Sequence, residues 1–454
     1  MGFFEVVENT PGYCGRASSG MEAMAGRVDD SGDSEDGEES FLHCAQCVAA
    51  SLSPMDSETI DAPLDSPRMS AVRWAVCAFG SVGGQAFGFS RQAAPAHPGG
   101  AARSVDGARL RKILEYSHSA GNESYRKKLV QYYKQVGISV TADQIIVTTG
   151  GSEAILFGFM TCMDQGDEVI IPEPFYANYN GFAVEAGVIV IPITSSIESG
   201  FALPPIEDFE KAITPKTKAI VICNPNNPTG YLYSKEEMDV LRKIILKHNL
   251  FLFADEAYRE FCYEGTHISA MHLTGVDDSV VLMDTISKRY SACGGRIGAF
   301  VTKNKALLDA AMKFAQARLS PPSFAQILGE AAVDLPDDYF DTAKAEYKKR
   351  RDTIVKRLNA IPGVFCPNPG GAFYAMAKLP IDDADIFCQW LLESFSLNKQ
   401  TLMLAPATGF YSTPGLGKQE VRLAYVLNTD AINKAMDCLE TALQQYPGRK
   451  INLL

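Results

Sequence analysis

Six short apolar runs recur between residues 144 and 288, and each ends in glycine or polar residues. They are "QIIVTTGG" from Gln144, "DEVIIPEP" from Asp167, "GVIVIPI" from Gly187, "KAIVICNPNNPTG" from Lys218, "LFLFADEAY" from Leu250 and "SVVLMDTISK" from Ser279. Helical stretches such as "SEAILFGFMTCM" and "SKEEMDVLRKIILKHN" separate several of them. Strands that are apolar on both faces and alternate with helices require a mostly parallel sheet covered by helices, an α/β fold. In such a sheet ligands bind beyond the carboxyl ends of the strands. The residues at those ends are Gly150, Gly151 and Ser152, then Asn227, then Asp255 and Tyr258, then Lys288. They are far apart in sequence and are expected to gather at one edge.

The flanks have a different texture. Residues 1–100 are expected to form an atypical extension. "VDDSGDSEDGEES" carries seven acidic side chains between Asp29 and Glu39 and no basic one, which reads as disorder, and an Ala/Gly/Ser-rich stretch follows it. Neither a secretory signal nor a basic transit peptide suits this stretch. From residue 109 the chain reads as a large domain reaching to about 325, opened by a helix in "NESYRKKLVQYYKQVG". Residues 326–454 read as a smaller α+β domain, with the long amphipathic "YFDTAKAEYKKRRDTIVKRLNAI" and the strand-like "GGAFYAMAKL" and "EVRLAYVLN". A chain of 454 residues is long enough for both.

The net charge of −12 argues against a nucleic-acid or anionic-membrane partner, and no apolar stretch reaches the roughly 18–20 residues of a membrane span. Eleven cysteines without regular spacing suit a reducing compartment, the cytoplasm. Cys44 and Cys47 form a lone CxxC without a second ligand pair, so no metal site is expected.

The residues at the strand ends suggest a chemistry. Gly-Gly-Ser at a strand-to-helix junction suits a phosphate, although it is equally an ordinary turn and cap. Asp255 closes an apolar run, where it can pair with a protonated heterocycle nitrogen or simply cap a turn. Arg296 offers countercharge to a phosphate. Lys288 is an amine able to condense with an aldehyde. Phosphate, pyridinium and aldehyde together describe pyridoxal 5′-phosphate. Arg422, inside an apolar run, is either a surface arginine or a carboxylate clamp.

With "NPNNPTG", "DEAYREF", "TISKRYSACGGRIG" and "VRLAYV" in view, residues 109–440 resemble the class I/II aminotransferases of the fold-type I pyridoxal-phosphate enzymes, with a look closest to aspartate aminotransferase. The resemblance implies a mixed, mostly parallel seven-stranded sheet with a smaller C-terminal domain, and a homodimer with shared sites. It implies ping-pong transfer of an amino group from an L-amino acid, aspartate or glutamate, to a 2-oxo acid. Lys288 would bind the cofactor covalently and shuttle the proton. Asp255 would keep the pyridine nitrogen protonated, Tyr258 and Asn227 would donate to the phenolic oxygen, and Tyr176 would stack on the ring. Gly150, Gly151, Ser152, Thr285 and Arg296 would hold the phosphate, with Tyr116 reaching the phosphate of the neighbouring subunit. Arg422 would clamp the substrate α-carboxylate, alongside Asn227. Arg318, in "AQARLSPPSFAQ", would meet a side-chain carboxylate or else be a helix surface residue. The family's usual N-terminal segment has no convincing counterpart in residues 1–108. Lyase, decarboxylase and synthase reactions, or an impaired relative, stay open as alternatives.

Overall fold

The computed structural model describes residues 5–8, 115–336 and 338–450. The acidic block, the Ala/Gly-rich stretch and the Cys44–Cys47 pair lie outside the described residues. The central feature is a seven-stranded sheet: β2 (Ile145–Thr148), β3 (Glu168–Glu173), β4 (Ile189–Thr194), β5 (Thr217–Cys223), β6 (Phe251–Asp255), β7 (Val280–Thr285) and β8 (Gly298–Val301). Their spatial order is β2-β8-β7-β6-β5-β3-β4. All neighbours pair in parallel except β8, which is antiparallel to both β2 and β7. Being two reversals away from β7, β2 runs parallel to it, so its carboxyl end reaches the same edge as those of β5, β6 and β7.

Burial follows sequence position. The interior strand β7 is buried along its whole length, while the edge strand β4 is half-exposed and carries Pro192, whose missing N–H is tolerated at an edge. The helices between strands are α1 (Glu123–Gln135), α2 (Gly150–Cys162), α3 (Asn178–Ala186), α4 (Ile206–Ala212), α5 (Lys235–His248) and the single turn α6 (Ile286–Arg289). In α5 the cap is legible in "SKEE": the Ser234 hydroxyl accepts from the Glu237 N–H at 3.2 Å, and the Glu237 carboxylate accepts from the Ser234 N–H at 2.7 Å. Its buried stripe is Met238, Leu241, Ile244 and Ile245, packed on Ile220, Ile222, Leu252 and Ala254. Asn249 in the left-handed region ends it.

Then follow α7 (Lys305–Ala317), α8 (Ser323–Ala332), α9 (Tyr339–Ala360), β9 (Tyr374–Lys378), α10 (Ala384–Glu393), β10 (Gln400–Met403), β11 (Ala405–Pro406), β12 (Glu420–Ala424) and α11 (Thr429–Gln445). A smaller antiparallel sheet has the order β11-β12-β9. Residues Glu5–Glu8 form a strand, β1, paired antiparallel with β10. That short piece of the N-terminal stretch is therefore built into the fold. One apolar core runs from α2, β3 and β5 through to β9, β12 and α11, joining the two sheets. No described helix is long and apolar enough to cross a membrane.

Candidate active site

The strand ends converge as the alternation requires. At the β2–α2 junction Gly150 adopts φ +76°, a conformation that disfavours any side chain. A Cβ there would stand 2.5 Å from the Arg296 guanidinium, so only glycine lets that arginine approach the start of α2. The Thr148 hydroxyl donates to the Gly150 carbonyl at 2.9 Å, and the Glu153 carboxylate accepts from the Thr149 N–H at 2.8 Å. Gly151 faces Thr285, whose Cβ is 3.6 Å from where a Gly151 Cβ would stand, and Ser152 follows in the first turn. The Thr285 hydroxyl lies 2.8 Å from the Ser287 hydroxyl and 3.0 Å from the Ile297 carbonyl. Glycines, two hydroxyls, a guanidinium and a helix N-terminus together make an anion cradle.

Asp255 ends β6. Its carboxylate accepts from the Tyr179 hydroxyl at 3.0 Å and from the Ala257 N–H at 3.1 Å. Burial nevertheless pushes its carboxyl up to about 6, with the Asp284 and Glu256 carboxylates adding to the effect. Tyr176 meets Tyr179 edge to face at 5.5 Å, and burial plus the Asp255 charge push its phenol up to about 12.

A second chain of contacts crosses to the smaller sheet. The Tyr258 hydroxyl donates to the Tyr374 hydroxyl at 3.2 Å, and Phe373 meets the Tyr258 ring edge to face at 5.2 Å. The Lys288 amine stands 5.9 Å from the Phe373 ring centroid. Arg422, on β12, is pressed between Tyr374 at 4.6 Å and Phe410 at 4.7 Å, and donates to Asn227 Oδ1 at 3.0 Å. Removal from water lowers its guanidinium from its ordinary value, so a carboxylate in reach is strongly favoured. Arg422 is 7% exposed, which settles against the surface reading.

Two residues stand apart. Arg318 donates to the carbonyls of Ser119 and Val147 at 3.0 and 3.1 Å, lies 3.5 Å from the Glu153 carboxylate and sits over Phe157. The structure engages it there and gives it no contact with the Lys288–Arg422 group. Tyr116 is 77% exposed. Three residues were not legible as site members: Tyr179, Ser287 and Tyr374. A signal existed for two of them, since Tyr179 follows Tyr176 by three residues at the start of α3 and Ser287 lies between Thr285 and Lys288; Tyr374 owes its place to the tertiary fold alone.

The comparisons with known proteins agree with this fold. The family model for "Aminotransferase class I and II" matches residues 100–437. This chain belongs to that family. A putative aminotransferase of Bacillus subtilis, YugH, is 32% identical over 324 residues, 71% of this chain and 82% of that protein. An aspartate aminotransferase of Pyrococcus horikoshii is 31% identical over 336 residues, covering 72% and 83%. Among solved structures, Thermus thermophilus aspartate aminotransferase with maleate aligns with a TM-score of 0.67 at 29% identity, covering 74% of this chain and 85% of that one. The alanine aminotransferase of Pyrococcus furiosus aligns equally well at 32% identity.

The aminotransferase described here is a pyridoxal-phosphate enzyme, and its residues fit that cofactor. The absence of a Cβ at Gly150 brings the Arg296 guanidinium against the first turn of α2, where its charge and the helix N-terminus can meet a phosphate together. Asp255, disfavoured as an isolated buried anion, has no cation within ion-pair distance among the described residues, which suits a protonated ring nitrogen. The nitrogen passes from an amino acid to the enzyme and then to a 2-oxo acid in two half-reactions.

Proposed function

We propose that Lys288 is the covalent attachment point and the proton carrier of this aminotransferase, and that aspartate or glutamate is the amino donor. The observation that carries the site reading is the Arg422–Asn227 contact, which places a buried guanidinium where the two sheets meet, beside Tyr374 and Tyr258. Arg422 holds the substrate α-carboxylate in a two-pronged grip. Because Asn227 Oδ1 accepts from Arg422, its amide N–H₂ remains to donate to the cofactor's phenolic oxygen, together with the Tyr258 hydroxyl. Asp255 holds the proton on the ring nitrogen, itself steadied by Tyr179. Tyr176 covers the ring. Gly151, Ser152, Thr285 and Arg296 hold the phosphate. When bound, pyridoxal phosphate supplies an electron sink that makes the substrate Cα proton removable. Lys288 Nζ takes that proton from Cα.

Aspartate or glutamate is supported by relatives named aspartate aminotransferases. A second reading, an apolar or aromatic donor, is favoured by the engagement of Arg318 with Ser119, Val147 and Glu153 and by the aromatic wall of Tyr176, Tyr374 and Phe410.

A homodimer belongs to the same proposal. Tyr116, Leu319 and Ile327 are 77%, 50% and 49% exposed, and their segments are tied together by the Ser119 hydroxyl donating to the Leu319 carbonyl at 2.7 Å. A second copy covering that apolar face would receive Tyr116 at its phosphate cradle. The free cysteines of the described residues support a reducing, cytoplasmic setting. The deciding experiment mixes the purified protein with aspartate, glutamate, phenylalanine and alanine in turn and follows the visible band of the bound cofactor. The donor that bleaches it fastest names the substrate class. Borohydride reduction followed by peptide mapping must label Lys288, and labelling of another lysine rejects the assignment.

A further inference from the structure

Beneath the site lies a buried cluster of four ions that the reaction itself does not call on: Glu256, Arg259, Asp284 and Arg289. The side chains of the four are between 1% and 3% exposed. Arg289 Nη2 donates to Asp284 Oδ2 at 2.8 Å, and the Tyr133 hydroxyl donates to the same oxygen at 2.8 Å. Arg259 stands 3.8 Å from that oxygen and donates to Glu256 Oε2 at 3.0 and 2.9 Å. Glu256 Oε1 in turn accepts from the Ser269 hydroxyl at 2.8 Å and the Ala270 N–H at 2.9 Å. The Arg289 guanidinium lies over the Tyr132 ring at 4.0 Å, and Tyr132 accepts from Arg259 Nη1 at 3.1 Å. The two positive and two negative charges cancel.

The placement of this cluster is specific. Each ion is the sequence neighbour of a site residue: Glu256 follows Asp255, Arg259 follows Tyr258, Arg289 follows Lys288, and Asp284 precedes Thr285. The β6–β7 ladder ends at the pair Asp255–Met283, with one further bond from the Glu256 N–H to the Met283 carbonyl at 3.1 Å. Beyond that point the two segments that present Asp255 and Lys288 are no longer joined by strand pairing. Lys288 sits on the single turn α6, which is too short to hold its own orientation.

The geometry points to Arg289 as a positioning residue for Lys288: clamped on Asp284 and Tyr132, it fixes the turn α6 against the Asp255–Tyr258 segment, so that the lysine amine is held at a set distance from the Asp255 end of the site. Asp284 and Tyr133 complete the clamp from β7 and α1. A lysine in place of Arg289 keeps the charge and loses the planar fork and its stacking. A misplacement of about 1 Å in such a constellation costs up to about 100-fold in rate. This inference rests on the reading of Lys288 given above.

The test uses the cofactor-loaded enzyme and the variants Arg289→Lys and Tyr133→Phe. The latter removes one hydroxyl and leaves all four charges in place. Three quantities are read: the melting temperature, kcat and KM for the best donor, and the pH midpoint of the visible band of the lysine-bound cofactor. Arg289→Lys is expected to lower kcat by about 10- to 100-fold with KM within about threefold, and to displace the pH midpoint. Tyr133→Phe is expected to change both in the same direction by less. Wild-type kcat and midpoint in Arg289→Lys, with only the melting temperature lowered, would overturn the proposal and leave the cluster a support of the fold. If Arg289→Lys yields no soluble protein, Tyr133→Phe decides by the same two readouts. A wild-type enzyme whose borohydride label is not on Lys288 overturns the lysine assignment and this inference with it; a correct label with unresponsive variants overturns this inference alone.

Discussion

Arg422 donates from Nη1 to the side-chain oxygen of Asn227 at 3.0 Å, tying a strand of the smaller sheet to the loop that leaves the middle of the larger one. The bond orients two groups at once: it aims the guanidinium, and it turns the asparagine amide so that its N–H₂ faces away from the arginine.

Replacing Arg422 by lysine tests the clamp. The ammonium keeps the charge and loses the fork and its place between Tyr374 and Phe410. KM for the amino donor should rise by about 10- to 100-fold, equivalent to roughly 1.4–3 kcal/mol of lost carboxylate binding. Cofactor content should stay near wild type. Steady-state kinetics with a fixed 2-oxo acid acceptor measures the first, and cofactor absorbance the second. Loss of cofactor with unchanged KM would count against the assignment.

Asp255 gives a pH dependence with a definite sign. Its carboxyl is raised to about 6 in the cofactor-free fold, above its ordinary value. Between that ordinary value and about 6 the folded protein binds the proton more tightly than the unfolded chain does. The cofactor-free fold is thus favoured at the acid end, and this group's contribution is lost as pH rises through about 6. In the proposed role the ionised carboxylate would face the cofactor's ring nitrogen, so cofactor affinity should fall as pH drops through about 6. Asp255→Asn keeps an acceptor for Tyr179 and Ala257 and should bind cofactor more weakly with no such pH limb. Titrations of cofactor binding between pH 5 and 8 measure it, and a wild-type curve that is flat in this range would remove the ion pair from the reading.

Much of the large sheet was legible because its apolar runs are continuous: all six became strands, and the glycines and polar residues after β2, β5, β6 and β7 came to one edge. The seventh strand, β8, was not visible in the residues themselves, since "GAFV" is four residues long and follows a glycine-rich turn. Strand order was illegible as well, because it depends on which helices cover which face. Charged residues hid the most. Asp284 and Arg289 look like solvated side chains in sequence, and they are buried because Tyr132 and Tyr133, about 150 residues earlier, close over them. Arg318 shows the converse: an arginine near the expected place is held by carbonyls and by Glu153, and sequence carries no sign of that.

Glu173 is a fully buried carboxylate at the end of β3 that accepts from the Thr194 hydroxyl at 2.8 Å and from the Ser412 and Thr413 N–H groups at 2.7 and 3.1 Å. It anchors the segment that follows Phe410, the residue stacked on Arg422. Glu173→Ala leaves two backbone N–H groups unpaired and should cost about 2–4 kcal/mol. Glu173→Gln can still accept from both N–H groups and donate to Thr194, so it should restore most of the loss. Urea unfolding separates the two variants. KM for the donor should rise in Glu173→Ala, because the loosened segment no longer presses Phe410 onto Arg422.

Gly150 and Gly151 make a matched pair for testing the phosphate cradle. An alanine at 150 would bring its methyl to 2.5 Å from the Arg296 guanidinium in a backbone conformation of φ +76°, so Gly150→Ala must displace the arginine or strain the start of α2. It should lose stability by about 1 kcal/mol or more and lose cofactor affinity as well. An alanine at 151 meets Thr285 at an ordinary 3.6 Å and needs no positive φ. The protein alone therefore gives Gly151→Ala little reason to lose stability. If its cofactor affinity nevertheless falls while its melting temperature holds, the methyl must be meeting the bound phosphate itself, which places that group over the first turn of α2. If both stability and affinity stay at wild type, the phosphate does not lie against Gly151, and the cradle must be redrawn around Thr285, Ser287 and Arg296. Isothermal titration with pyridoxal phosphate and thermal melts of the two cofactor-free variants provide all four values.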